Sequence, residues 1–114
     1  MVAGQVPGAA GHMTLTEASR LRERRWVVQC ALSRICGGCA MSLGRPVVFL
    51  GTPDEVARNG FHLPPMHLAC AEELRGTPGA DPAWQLVTTS GFEFVRPARD
   101  DLDQQPRFEP NSLL

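Results

Sequence analysis

Two short stretches, Cys36-Gly37-Gly38-Cys39 and Pro64-Pro65-Met66-His67-Leu68-Ala69-Cys70, decide how this chain folds. Each holds two side chains able to bind a metal, spaced by two residues, and residues 40–66 separate the pairs. The glycines let the backbone curl so that both thiolates of the first pair reach one ion. In the second pair, positions i and i+3 share one face of a helix. The four side chains make a Cys3His set, which is typical of structural zinc sites.

The type of ligand predicts the metal and its role. Thiolate-rich ligation favours Zn2+ over Mg2+, Ca2+ or Mn2+. Four protein ligands leave no open position for water, so we expect a structural ion and no catalytic residues. We therefore predict one Zn2+ per chain at Cys36, Cys39, His67 and Cys70. Two alternatives remain open, a redox-active Cys-x2-Cys pair and an iron–sulfur cluster that also uses Cys30.

Two further residues could be mistaken for metal ligands. Cys30 falls inside a predicted helix, where a lone cysteine usually serves as a small buried apolar residue. His62 lies near the ligands in a strand-like segment, and we expect it to be exposed or to support a ligand indirectly. Neither residue is included in the predicted site.

Length and composition favour one small α+β domain that needs additional stabilisation. The chain has 114 residues, 43% of them hydrophobic, and no tyrosine. A core of roughly 60 residues buries little surface, and a bound metal would supply the missing stability. We place a single zinc-binding domain at residues 14–97, with its zinc core at 35–76. Residues 1–13 are expected to be a disordered arm and residues 98–114 an exposed tail.

Helical signals surround the zinc core. Thr14 to Glu17 matches a capping box and predicts a helix over residues 15–34. The apolar residues at helical spacing in that segment, expected to face the core, are Leu21, Val28, Leu32 and Ile35. Pro64-Pro65 predicts the start of a second helix, roughly residues 65–75, which Gly76 ends.

Strand signals complete the predicted domain. Residues 45–50 are β-branched and aromatic, and 60–63 would be a short returning strand. Two further apolar runs flank Ser90-Gly91 and predict a C-terminal β-hairpin over residues 84–96.

The predicted order resembles the treble-clef zinc finger. In that fold a turn with two ligands is followed by a strand, a returning strand and a helix that carries the other two ligands. Residues 35–74, with their CGGC, GRPVVF and PPMHLACAE segments, are also similar to a group of small proteins of actinobacteria and their phages. The resemblance covers about a third of the chain and implies metal binding without indicating an activity. Treble clefs include HNH-type nucleases, but no adjacent His-Asn or His-His pair is present here.

Charge and targeting signals narrow the function classes. The formal net charge is −1, which does not favour nucleic acid, although Arg20, Arg24 and Arg25 make the N-terminal helix locally basic. No signal peptide and no run of about 20 apolar residues is visible, so we expect a cytoplasmic protein without membrane contact.

These observations favour a small intracellular zinc module that is not an enzyme and acts by binding a partner, a protein ahead of nucleic acid. A nucleic-acid-binding zinc finger using the arginine-rich helix is the alternative. An HNH-like nuclease or a Cys-x2-Cys redox protein ranks below both. No small-molecule substrate is evident from the sequence.

Overall fold

The structure, a computed structural model, describes residues 21–100 and 104–111. Within these ranges the helices are α1 (Arg24–Ser33), α2 (Pro53–Arg58) and α3 (Leu68–Arg75). The strands are β1 (Val47–Gly51), β2 (Gln85–Thr89), β3 (Phe92–Val95) and β4 (Arg107–Pro110). The predicted α+β class is confirmed. The predicted arm at residues 1–13 and the Thr14 capping box lie outside the described residues.

The strands form two antiparallel pairs. β1 pairs with β2, with Phe49 opposite Val87, and β3 pairs with β4, with Phe94 opposite Phe108. A C-terminal antiparallel hairpin is therefore present, but its strands are not the two predicted at residues 84–96. Both of those strands form, yet each pairs elsewhere.

Thr89 explains why β2 and β3 do not pair with each other. Its hydroxyl donates to the carbonyl of Gly91 at 2.7 Å and accepts from the amide of Gly91 at 3.3 Å. Such local side-chain bonds compete with the backbone pattern of a hairpin turn. The chain consequently passes from one sheet into the other at Ser90-Gly91.

β4 corrects the expectation that residues 98–114 are an exposed tail. Its residues alternate between half-buried and buried, and Phe108 is 0% exposed. Phe108 also pairs with Phe61 through two backbone hydrogen bonds of 2.9 and 2.7 Å. The strand was missed because its alternation of half-buried and buried residues is only four residues long. Charged residues and two prolines in and around it hide the pattern.

The hydrophobic core lies on both faces of β1, whose five residues are all buried. Successive strand side chains point to opposite faces, so β1 contributes to two clusters. The metal-side cluster contains Leu21, Cys36, Val48, Leu50, Leu63, Met66, Ala71, Leu74 and Trp84. The aromatic cluster contains Val27, Ala31, Val47, Phe49, Phe61, Phe92 and Phe108.

α1 is shorter than the helix predicted at residues 15–34. Leu21 belongs to a turn, and Glu23 is the extended N-cap residue of a helix that begins at Arg24. Its buried residues are Val27, Cys30 and Ala31, while Leu32 is 69% exposed. The predicted apolar face was wrong because it treated Leu21 as helical and left out Val27, Ala31 and Cys30, although Cys30 was expected to be buried.

The segment before α3 runs along β1 and replaces the predicted returning strand. Val48 and Met66 exchange two backbone hydrogen bonds of 2.9 Å, and Pro64 and Pro65 are buried beside them. Residues 60–63 do not pair with β1; Phe61 pairs with Phe108 instead. α3 then begins at Leu68, with His67 as its N-cap. Among the described helices, none combines the length and apolar character that crossing a membrane requires.

Candidate metal centre

A tight turn presents the first ligand pair. Ile35 and Ser42 form an antiparallel bridge, and between them the amide of Cys36 donates to the carbonyl of Met41 at 2.8 Å. The amide of Ala40 donates back to the carbonyl of Cys36, also at 2.8 Å, and Ala40 has a left-handed φ of 65°. This turn, residues 35–42, is called the knuckle below.

Backbone contacts bring the second ligand pair against the knuckle. The amide of Gly37 donates to the carbonyl of Pro65 at 2.8 Å, and the Val48–Met66 bridge fixes the same segment to β1. His67 follows immediately, and Cys70 is the third residue of α3. The approach at Gly37 is close, since an added Cβ would lie 2.5 Å from Cγ of Pro64.

The four predicted ligands converge on one point. The ligand atoms of Cys36, Cys39, His67 and Cys70 all lie within 4.8 Å of one another. His67 Nδ1 is 3.4 Å from Cys39 Sγ and 3.9 Å from Cys70 Sγ. A tetrahedral zinc ion with ordinary bond lengths would place sulfur and nitrogen about 3.6 Å apart. The four side chains therefore form a group that can hold one metal ion.

A backbone carbonyl sets the orientation of the His67 ring. His67 Nε2 lies 2.9 Å from the carbonyl oxygen of Ser42. A carbonyl can only accept, so Nε2 carries the proton and donates it, which leaves the lone pair of Nδ1 facing the thiols. Hydrogen bonding of the second ring nitrogen is the usual way in which proteins orient a metal-binding imidazole.

Cys36 is the most enclosed of the four ligands. Its residue is 0% exposed, and its sulfur accepts hydrogen bonds from the amides of Gly38 at 3.3 Å and His67 at 3.4 Å. Backbone amides from both ligand pairs thus hold the Cys36 sulfur in place, whereas Cys39 is exposed.

Without a metal the site favours a neutral thiol at Cys70. Burial raises the pKa of the Cys70 thiol, and the neighbouring sulfurs of Cys36 and Cys39 raise it further. All four cysteines of the chain are free. A divalent cation among these sulfurs would stabilise the thiolate forms and displace protons from them.

Cys30 and His62 both lie outside the ligand group. Cys30 is 0% exposed and is not among the clustered ligands, as expected of a small apolar residue. An iron–sulfur cluster that includes Cys30 does not fit this arrangement. His62 is half-buried, and its ring contacts Glu55 at 2.6 Å.

The structure does not describe the three arginines of the N-terminal helix as one basic surface. Arg20 lies outside the described residues. Arg24 donates a hydrogen bond to the backbone carbonyl of Gln104, and Arg25 is exposed on α1.

Sequence reasoning missed two residues that brace the site. The indole of Trp26 donates to the carbonyl of Gly37 at 3.1 Å, which ties α1 to the knuckle. The Ser42 carbonyl orients His67. A backbone carbonyl has no signature in the sequence, and Trp26, ten residues before Cys36, carries no spacing that would have pointed to this contact.

The chain matches no protein-family model, no curated protein and no solved structure.

Proposed function

We propose that the chain is a small zinc-binding module in which one structural Zn2+ joins the knuckle to α3 and which acts by binding a protein partner. The convergence of three thiols and one imidazole within 4.8 Å is the observation that carries the proposal. Soft sulfur ligands favour zinc among the common divalent ions of the cell. Four protein ligands complete a tetrahedron, so no position is left for an activated water molecule.

The treble clef is the zinc-finger type that we propose for this module. A knuckle bearing two cysteines, a strand after it, and a helix whose start carries the second ligand pair support the likeness. The strand pairing differs from that of a treble clef, because β1 pairs with β2 and not with residues 60–63. The likeness therefore rests on the knuckle and α3.

Exposed apolar side chains beside the metal centre support a protein partner. Met41, two residues after Cys39, is 66% exposed, and Leu68, directly after His67, is 44% exposed. We infer that these two side chains, which adjoin ligand residues from one cluster, belong to one apolar patch, and contiguous exposed apolar patches mark surfaces that bind proteins. With a net charge of −1 and Arg24 bonded to Gln104, a protein partner ranks ahead of nucleic acid.

Metal content tests the zinc assignment, and Cys30 offers a matched control. Cys36 and Cys30 are both 0% exposed, but only Cys36 belongs to the ligand group. We expect the purified protein to carry about one zinc per chain and Cys36→Ser to lose both metal and cooperative unfolding. Cys30→Ser should keep its zinc. Elemental analysis by mass spectrometry, with thermal unfolding, measures both effects.

Two results would contradict the assignment. Iron in place of zinc would favour a cluster or another redox centre. Equal loss of metal from Cys30→Ser and Cys36→Ser would show that the ligand set is wrong.

Cross-linking in cells of the native host tests the protein partner. The double variant Met41→Ser/Leu68→Ser should recover its partner several-fold less than the parent protein, with zinc content unchanged. Leu32→Ser is the control, because Leu32 is 69% exposed on α1 and lies outside the ligand segments. Equal recovery with both variants, or loss of all recovered partners after nuclease digestion, would contradict a protein partner at this surface.

A further inference from the structure

A polar cavity of about 330 Å3 lies apart from the metal ligands, none of which lines it. Its walls come from residues widely separated in sequence, among them Arg22, Glu55, Arg58, His62, Asp81 and Trp84. Binding sites for small molecules usually occupy about 300–1,000 Å3 and hold a few convergent polar groups. The cavity has the size of a small-ligand site, and its mostly charged and polar walls suit a polar ligand.

Glu55 is a fixed part of the cavity wall. Its Oε1 accepts from the amide of Thr52 at 2.9 Å, which closes a capping box at the start of α2. Its Oε2 accepts from the amide of His62 at 3.2 Å and faces Nδ1 of that ring at 2.6 Å. Three donors therefore surround the carboxylate, and these charge-assisted hydrogen bonds hold its two oxygens within the protein.

The same contacts hold the imidazole of His62 in place. Because the carboxylate oxygen of Glu55 can only accept a hydrogen bond, Nδ1 of His62 carries a proton and donates it. Both the backbone amide and the ring of His62 contact Glu55, and Glu55 is only 9% exposed. His62 is thus a rigid polar group at the wall of the cavity.

Two guanidinium groups line the cavity as well. Arg22 lies over the ring of Trp84, 5.9 Å from its centroid. Arg58 pairs with Asp54 at 3.0 Å, but the two side chains are 56% and 76% exposed. Exposed pairs of this kind contribute little free energy, so Arg58 can exchange Asp54 for a ligand at low cost. Guanidinium groups match the oxygens of phosphate in geometry and charge.

We propose that this cavity binds the phosphate monoester of a sugar or nucleoside. Arg22 and Arg58 contact the phosphate oxygens, and Nε2 of His62, whose ring proton lies on Nδ1 facing Glu55, accepts a hydrogen bond from a hydroxyl group of the sugar. The carboxylate of Asp81 accepts from hydroxyl groups of the sugar, and Trp84, over whose ring Arg22 lies, adds apolar surface to the wall. This site adds a small-molecule ligand to the proposed zinc module and does not depend on which protein the module binds.

Calorimetric titration of the zinc-loaded full-length protein tests the proposal with three probes. Inorganic phosphate carries only the anion, ribose 5-phosphate adds the sugar, and adenosine 5′-monophosphate adds a base. We expect saturable binding of at least one phosphate monoester to one site per chain. Arg22→Gln and Arg58→Gln should each raise Kd about tenfold or more, since each removes charge-assisted hydrogen bonds.

A matched control separates a specific site from general attraction of anions. Arg75→Gln removes the same charge from the exposed last turn of α3, outside the cavity, and should leave Kd unchanged within about twofold. Zinc content and thermal unfolding identify any variant that fails to fold. Arg58 is exposed, so Arg58→Gln remains a valid test if Arg22→Gln proves unstable.

The relative affinities identify the source of the phosphate. Tighter binding of the nucleotide than of ribose 5-phosphate supports a nucleoside ligand, and equal binding of the two supports a sugar phosphate. Failure of both esters to saturate the protein at millimolar concentration would overturn the proposal. So would binding no stronger than that of inorganic phosphate, or equal weakening by Arg75→Gln.

Discussion

Gly37 determines how closely the two ligand pairs approach. Its amide donates to Pro65, and its carbonyl accepts from Trp26, so this one residue contacts both the segment before α3 and the helix before the knuckle. A side chain there would meet Pro64 and Leu21, the nearest atom at 2.5 Å. The lack of a side chain at residue 37 is therefore a condition for assembling the metal site.

Gly37→Ala should consequently destabilise the protein and weaken its metal binding. Because the rigid ring of Pro64 cannot move aside, we expect a loss of about 1–3 kcal/mol in unfolding free energy, typical of overpacking. Gly44→Ala is the control, since nothing lies within 4 Å of a Cβ added at Gly44. Chemical denaturation of both zinc-loaded variants measures the difference. Equal stability of the two would show that the knuckle tolerates a wider separation from Pro64.

At the residue scale the sequence predicted the four side chains that come together but not how they are arranged. The spacing within each Cys/His pair is local, so sequence alone brings those two side chains to one point. Which nitrogen of His67 faces the thiols depends on the carbonyl of Ser42, a contact between residues 25 apart in sequence. Backbone groups are the same at every position and leave no pattern to read.

At the element scale β4 holds the aromatic cluster together. Phe108 packs against Phe49, Phe92 and Phe94, with ring centroids 5.7, 5.6 and 5.1 Å away. Its backbone pairs with Phe61. A short strand near the end of the chain thus joins three separate segments of the fold.

Truncating Phe108 should therefore be costly. We expect Phe108→Ala to lower the free energy of unfolding by about 3–5 kcal/mol, since it removes a fully buried ring from a packed cluster. Leu32→Ala is the comparison, because Leu32 is 69% exposed, and we expect its effect to stay within about 0.5 kcal/mol. Denaturant unfolding of both variants measures the effects. If Phe108→Ala costs as little free energy of unfolding as Leu32→Ala, β4 is not part of the packed core and this account is contradicted.

Strand pairing was the least predictable feature among the elements. Alternation in residues 84–96 identified two strands correctly, but alternation does not say which neighbour a strand pairs with. That choice depended on the Thr89 hydroxyl and on β1, which is buried on both faces and needs apolar partners on each. The pattern of apolar residues within one segment does not show either of these effects.

At the scale of the whole molecule, β1 separates two small clusters, and only one of them contains a candidate metal ligand. Cys36 belongs to the metal-side cluster, and Cys70 packs against it. The aromatic cluster on the other face of β1 contains none of the four candidate ligands and is built mainly on packed phenylalanine rings. Small domains bury too little surface to be comfortably stable, so the proposed ion on one face would complement aromatic packing on the other.

X-ray absorption at the zinc edge of the purified protein tests the central claim most directly. The claim is that one zinc ion is bound by Cys36, Cys39, His67 and Cys70, whose ligand atoms already lie within 4.8 Å of one another. The spectrum should fit three sulfur ligands at about 2.3 Å and one nitrogen at about 2.0 Å, with no water in the inner shell. A shell of four sulfurs, an oxygen ligand, or a protein that binds no zinc would contradict it.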